Sequence, residues 1–129
     1  MKLNPSHKDD RGEIIDIFVK SPKDHCSIIT SKKGAVRGNH FHKESTQYTY
    51  IISGKFKLFR AKVDNDGNLI ELVRSEIIES KELIEHPPFE SHTLVAETDH
   101  AVILAFACGK RGGNFYEQDT FRLKKKLNI

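Results

Sequence analysis

The sequence predicts an all-β chain folded as one closed barrel or sandwich, and three observations predict it. Its apolar residues fall in short runs rich in Ile, Val, Phe, Thr and Tyr, divided by turn residues. One of these runs alternates with period two: Phe56 and Leu58 take one face and Lys55 and Lys57 the other, as in a half-buried strand. At 129 residues with 37% hydrophobic content, the chain has the length of a single domain. A chain of that length buries about two-thirds of its unfolded surface without disulfides.

The elements follow in order. After the turn pair Arg11-Gly12, the run Glu13 to Val19 is expected as a strand, then Cys26 to Thr30. Lys32-Lys33-Gly34 turns the chain into Gly38 to His42, and Lys43 to Thr46 turns it into Gln47 to Ile52. Ser53-Gly54 makes a tight turn before Lys55 to Val63. Asp64-Asn65-Asp66-Gly67-Asn68 has the chemistry of a hairpin turn, with Leu69 to Val73 as its returning strand. Ser75 to Leu83 is compatible with a short helix or extended chain. His86-Pro87-Pro88 is barred from a helix interior or a central strand, because proline lacks the N–H. Ser91 to Ala96 and the continuously apolar Ala101 to Cys108 are strands, the second reading as buried on both faces. The glycine-rich, basic stretch Gly109 to Gly113 is a loop. Residues 1–129 make one domain, with a core of about 10–122 and a basic tail over 123–129.

Composition excludes several classes of function. The 21 basic and 18 acidic side chains give a net charge of +3, too mixed for a nucleic-acid surface. The longest apolar run is too short to cross a membrane. Met1-Lys2-Leu3-Asn4-Pro5 has no apolar leader, which sets the expectation of a cytoplasmic protein. Cys26 and Cys108 form no Cys-x-x-Cys pair, which argues against a disulfide scaffold and a thiolate zinc site. What stands out is seven histidines in a chain without tryptophan.

His40-Phe41-His42 is the chemical centre. On a strand, residues two apart point to one side, so both imidazoles enter one space. Buried, they need partners. Spacing alone leaves three alternatives: a metal site, a hydrogen-bonded acid/base site, or an outer face. Gln47 opens the following strand, and His92 opens another beyond Pro87-Pro88. His7, His25, His86 and His100 fall in expected loops or at strand starts and call for no special role.

Gly34, His40, His42, Gln47 and Gly54 match in register the first motif of the cupin superfamily, with Gln where Glu is usual. Pro87 to His92 is similar to the second motif, with Phe89 at the glycine position. Asp10-Arg11-Gly12-Glu13, Arg37-Gly38-Asn39-His40 and the tail Tyr116 to Arg122 resemble the nucleotide-sugar enzymes among the RmlC-like cupins. The chain looks most like the dTDP-4-keto-6-deoxyglucose 3,4-ketoisomerases, and it is also similar to the dTDP-4-dehydrorhamnose 3,5-epimerases. The resemblance implies a jelly-roll barrel of two antiparallel sheets, an isomerase of deoxysugar or polysaccharide biosynthesis, and a homodimer. Its implied substrate is a nucleotide-diphosphate keto-sugar, and no cofactor is implied.

The chemistry suits these residues. A hydrogen next to a ketone is removed by a base when the enolate oxygen is stabilised, and histidine does both near neutral pH. His40 is the expected base, and His42 shuttles the proton or polarises the ketone. Gln47 or His92 hydrogen-bonds the enediolate. Arg37, with Arg11 as the second candidate, contacts the diphosphate through guanidinium forks. Tyr116 is a weaker candidate as proton donor. The competing reading is a divalent transition metal held by His40, His42, His92 and Gln47, the neutral amide being the poorest of these ligands. A non-catalytic sugar-binding cupin is the third.

Overall fold

The computed structural model describes residues 1–109, 118–127 and 129, and among these the regular structure is entirely strand. The strands are β1 (His7–Asp9), β2 (Gly12–Ile14), β3 (His25–Ser31), β4 (Val36–Phe41), β5 (Thr46–Ser53) and β6 (Lys55–Lys62). They continue as β7 (Arg74–Glu79), β8 (Leu83–His86), β9 (Glu90–Ala96), β10 (Ala101–Cys108) and β11 (Phe121–Arg122). β1 and β2 form a small hairpin. The other nine make two antiparallel sheets, β3-β10-β5-β8 and β11-β4-β9-β6-β7. No helix among the described residues is long and apolar enough to cross a membrane.

Alternation explains the core. Ile51, Ile84, Ala101 and Ile103 from one sheet meet Phe56, Leu58, Ile78, Leu94 and Ala96 from the other, all buried. A second cluster of Phe41, Val63 and Leu123 is joined by Phe89, Phe121 and Leu127. Leu123 therefore belongs to the packed structure, although the sequence places it in a solvated tail. The lysines at 124–126 are exposed, as a basic tail would be.

Two expected elements differ. The strand expected over Glu13 to Val19 ends at Ile14. Beyond it Phe18 packs edge-on against Tyr48 and Phe106, with ring centroids 5.0 and 4.9 Å away. That segment buries a ring on the β5–β10 face instead of pairing its backbone. The expected returning strand Leu69 to Val73 is reduced to one bridge, Val63 to Leu69. The Asp64 carboxylate accepts the N–H groups of Asp66 and Asn68 and shapes this turn as a loop. Of the two forms open to Ser75 to Leu83, the chain takes strands rather than a helix: β7, a turn at Ser80 and Lys81, then the start of β8. β10 lies between β3 and β5; Ala101, Ile103 and Ala107 are buried, but Val102, Leu104 and Phe106 on its other face are only half-buried, with Phe18 against Phe106, so the strand is not buried on both faces as its unbroken apolar run suggests.

Candidate functional site

Local backbone geometry brings the histidines together. In β4 the pairing with β9 runs Arg37 to Leu94, Gly38 to Thr93, then His40 to His92, so Asn39 is an extra residue. Gly38 and Asn39 both have left-handed backbone, with φ of 78° and 63°. The Asn39 side-chain oxygen accepts a hydrogen bond from Thr93 (3.3 Å). This bulge sets His40 directly opposite His92. On β5 and β8, Gln47 is paired with His86. Phe89, at the second motif's glycine position, keeps the left-handed backbone a glycine would take, with φ of 59°. Its N–H donates to the His42 carbonyl (2.7 Å), which helps hold that conformation.

Four imidazoles form one buried cluster. Ring centroids lie 4.9 Å apart for His40 and His42, 4.8 Å for His40 and His92, and 5.3 Å for His42 and His92. His86 stacks on His92 at 4.3 Å. His86 is 1% exposed and His92 3%. The sequence places His86 in a loop or at a strand start with no special role; in the structure it ends β8 and packs in this cluster. The signal was available: Ile84 and His86 are two apart on a strand, so an inward Ile84 carries His86 inward too.

The hydrogen bonds fix the state of Nδ1 in His42 and in His40. His42 Nδ1 donates to the Asp119 carbonyl (2.6 Å); a carbonyl only accepts, so the proton is on Nδ1. That leaves His42 Nε2 facing the Gln47 amide, 2.8 Å from its oxygen. The amide can accept from a protonated ring or, turned over, donate to a neutral one. Arg122 Nη1 donates to His40 Nδ1 (2.9 Å), so neutral His40 carries its proton on Nε2. His86 Nε2 shares a hydrogen bond with the Thr49 hydroxyl (2.9 Å). Burial, with the charge of Arg60 and then His42, lowers the His86 pKa to about 3. Burial, then the neighbouring His86, His40 and His42, holds His92 well below the usual histidine range. Both rings are therefore neutral at pH 7.

A metal fits this cluster only in part. One ring nitrogen from each of His40, His42 and His92 lies within 4.8 Å of the others, close enough for small side-chain shifts to bring them onto one ion. His42 has the carbonyl partner that a metal-bound imidazole uses for its second N–H. At His40 Nδ1 a cationic donor, Arg122, stands instead. Ligation through Nε2 puts a proton on Nδ1 and turns that contact into a clash of donors. Three imidazoles and an amide also bring no negative charge to offset a dication.

The structure brings together His40, His42, His92 and Gln47 of the sequence-predicted residues. Arg37 and Arg11 stand apart from them. Arg37 donates to the Ser31 hydroxyl (3.1 Å) and the Thr30 carbonyl (2.7 Å), and it lines a cleft of about 570 Å³ with Lys32, Asp99 and His100. Arg11 forks onto Asp9 (2.7 Å at its closest) in the exposed β1–β2 hairpin. Tyr116 lies outside the described residues. Sequence reasoning missed Asp119 and the contact of Arg122 with His40. Both act on residues more than seventy positions earlier, a pairing no local pattern encodes.

Solved structures share this architecture. The capsular polysaccharide assembling protein CapF from Staphylococcus aureus aligns over 97% of this chain at 20% identity, with a TM-score of 0.66. The chain spans about a third (33%) of the CapF chain. A variant of the 3,4-ketoisomerase QdtA from Thermoanaerobacterium thermosaccharolyticum, in complex with TDP-4-keto-6-deoxyglucose, aligns over 94% of this chain and 83% of its own at 22% identity, with a TM-score of 0.68. The dTDP-4-dehydrorhamnose 3,5-epimerase from Bacillus anthracis, with TDP and PPi bound, aligns over 88% and 73% at 16% identity, with a TM-score of 0.72. These likenesses show the RmlC-like cupin fold. No curated protein sequence matches this chain. The family described as Polysaccharide biosynthesis C-terminal domain matches residues 7–121, and the chain belongs to it.

Proposed function

We propose that this chain isomerises a nucleotide-diphosphate keto-sugar, moving the keto group between C4 and C3 through an enediol. The observation that carries this reading is the pair of differently protonated imidazoles, His42 with its proton on Nδ1 and His40 with its proton on Nε2. One neutral ring then offers a lone pair and the other an N–H, which is what enolisation next to a ketone requires. The motif alone points to His40 as the base. The hydrogen bonds favour the opposite division, with His42 Nε2 accepting the C3 proton and the His40 N–H giving one to O4. The enediol then loses its O3 proton as C4 gains one, so the ketone ends at C3 and no proton is gained or lost overall. The Gln47 amide stands at the same His42 Nε2, so in the proposed step it turns aside as the substrate carbon reaches Nε2, and its oxygen accepts from the imidazolium that results.

Arg37 is the proposed diphosphate contact. It pairs with Leu94, two positions along β9 from His92, about 7 Å at strand spacing. That separation suits a sugar ring bound at the histidines with its phosphates beyond. Arg11, already forked onto Asp9, is given no role.

The three-histidine grouping favours a second reading, a divalent transition metal held by His40, His42 and His92. Metal analysis of protein purified without a nickel column separates the two. Stoichiometric zinc or iron, with all exchange chemistry lost on chelation, contradicts the metal-free reading. Metal-free protein that still enolises the substrate contradicts the second.

A further inference from the structure

We infer that Asp119 is a positioning residue that sets the tautomer of His42. The chain around it does two things at once. Its carboxylate accepts three backbone N–H groups of the turn after β4, from Lys43 (2.9 Å), Glu44 (2.9 Å) and Ser45 (2.7 Å). Its own carbonyl takes the His42 Nδ1 proton at 2.6 Å. The residue is 4% exposed, so these bonds form away from competing water. Burial raises the Asp119 pKa, but the N–H groups of Lys43, Ser45 and Glu44 outweigh it and hold the carboxyl below its ordinary value.

The geometry makes the carboxylate a clamp. It fastens the segment entering β11 to the turn that directly follows His42. The residue's own carbonyl, attached to the same Cα, is thereby held against the ring. Without the clamp, the carbonyl is free to move off Nδ1. His42 then loses the acceptor that keeps its proton there, and its Nε2 competes for that proton. A ring with Nε2 protonated has no lone pair facing Gln47. Asp119 thus acts through His42 and touches no reacting atom.

The kinetic part of this inference rests on the proposed isomerase reading; the tautomer does not. The test is ¹⁵N NMR of the imidazole nitrogens, with the His42 signals assigned by their loss in His42→Asn. In the unaltered protein, His42 is expected in the Nδ1–H form. In Asp119→Ala, the Nε2–H form becomes populated. Proton exchange into a keto-sugar nucleotide falls about 10- to 100-fold with KM nearly unchanged, the split expected of a misaligned catalytic ring. Where Asp119→Ala does not fold, Asp119→Asn carries the same test, since it keeps one acceptor oxygen and loses the other. A folded variant whose His42 remains wholly in the Nδ1–H form overturns the inference. An unaltered protein that shows the fixed tautomer but exchanges no substrate proton overturns the isomerase reading and leaves this one standing.

Discussion

Gly38 lies so close under the His92 backbone that a β-carbon there would sit 2.6 Å from the His92 carbonyl oxygen. The contact is with backbone, which cannot swing away as a side chain would, and the glycine also holds a φ of 78°. Gly38→Ala is therefore expected to pry β4 from β9 at the point where His40 faces His92. The cost is about 2 kcal/mol or more, read as a lower urea midpoint, and activity falls with it. An unchanged midpoint would mean that the bulge does not depend on the missing side chain.

Acid sensitivity should come from the buried imidazoles. His86 has a folded pKa of about 3, below the ordinary histidine value, so between those values the unfolded chain binds a proton that the folded one refuses. The stability it contributes is complete above about pH 6.5 and is lost as pH falls toward 3, at about 1.4 kcal/mol per pH unit for each such ring. His92 adds to the loss in the same direction. Urea unfolding of metal-free protein at pH 7.5 and pH 5 measures it. His86→Phe, which keeps a ring stacked on His92, is expected to shrink the difference between the two pH values. The same difference in both proteins would contradict the assignment.

Gln47 sets the character of the site through its charge. Gln47→Glu places a carboxylate beside His42 Nε2, where the amide now stands at 2.8 Å. That change holds His42 as imidazolium in the metal-free protein and slows proton abstraction. It also supplies the negative ligand that the cluster lacks. Zinc affinity, measured calorimetrically, is expected to rise roughly tenfold or more. A variant with unaltered zinc affinity would show that Gln47 does not approach a common ligand position.

Arg37→Ala tests the diphosphate contact. Loss of a charged hydrogen-bond donor to phosphate is expected to raise KM for the nucleotide sugar roughly tenfold, with kcat little changed. A KM that does not move, with lower thermal stability, would leave Arg37 as a brace between Thr30 and Ser31 alone.

Much of the fold was legible because alternation and turn chemistry act locally. β6 falls where its period-two run puts it, β5 and β10 fall where turn-bounded and apolar runs put them, and the His-x-His spacing points to the histidine cluster. The run containing Phe18 has a strand's composition, but the partners of that ring, Tyr48 and Phe106, are far along the chain and leave no local pattern. The Asp64 carboxylate replaced an expected strand pairing with side-chain caps, a competition that hydrophobic pattern does not register. The inward face of His86 is hidden in the sequence because the Pro87-Pro88 breaker follows directly on the four-residue strand that carries it. Asp119 left no local trace, since the groups it binds lie 74 to 76 residues earlier.

The most direct test of the proposed chemistry is deuterium wash-in from heavy water into a TDP-4-keto-6-deoxy sugar, followed by NMR of the sugar ring. Deuterium is expected at the carbon next to the ketone, with the 3-keto product formed alongside. Exchange is expected to be lost in both His42→Asn and His40→Asn. Absence of exchange across a panel of keto-sugar nucleotides, or full exchange in the His42→Asn and His40→Asn variants, would contradict it.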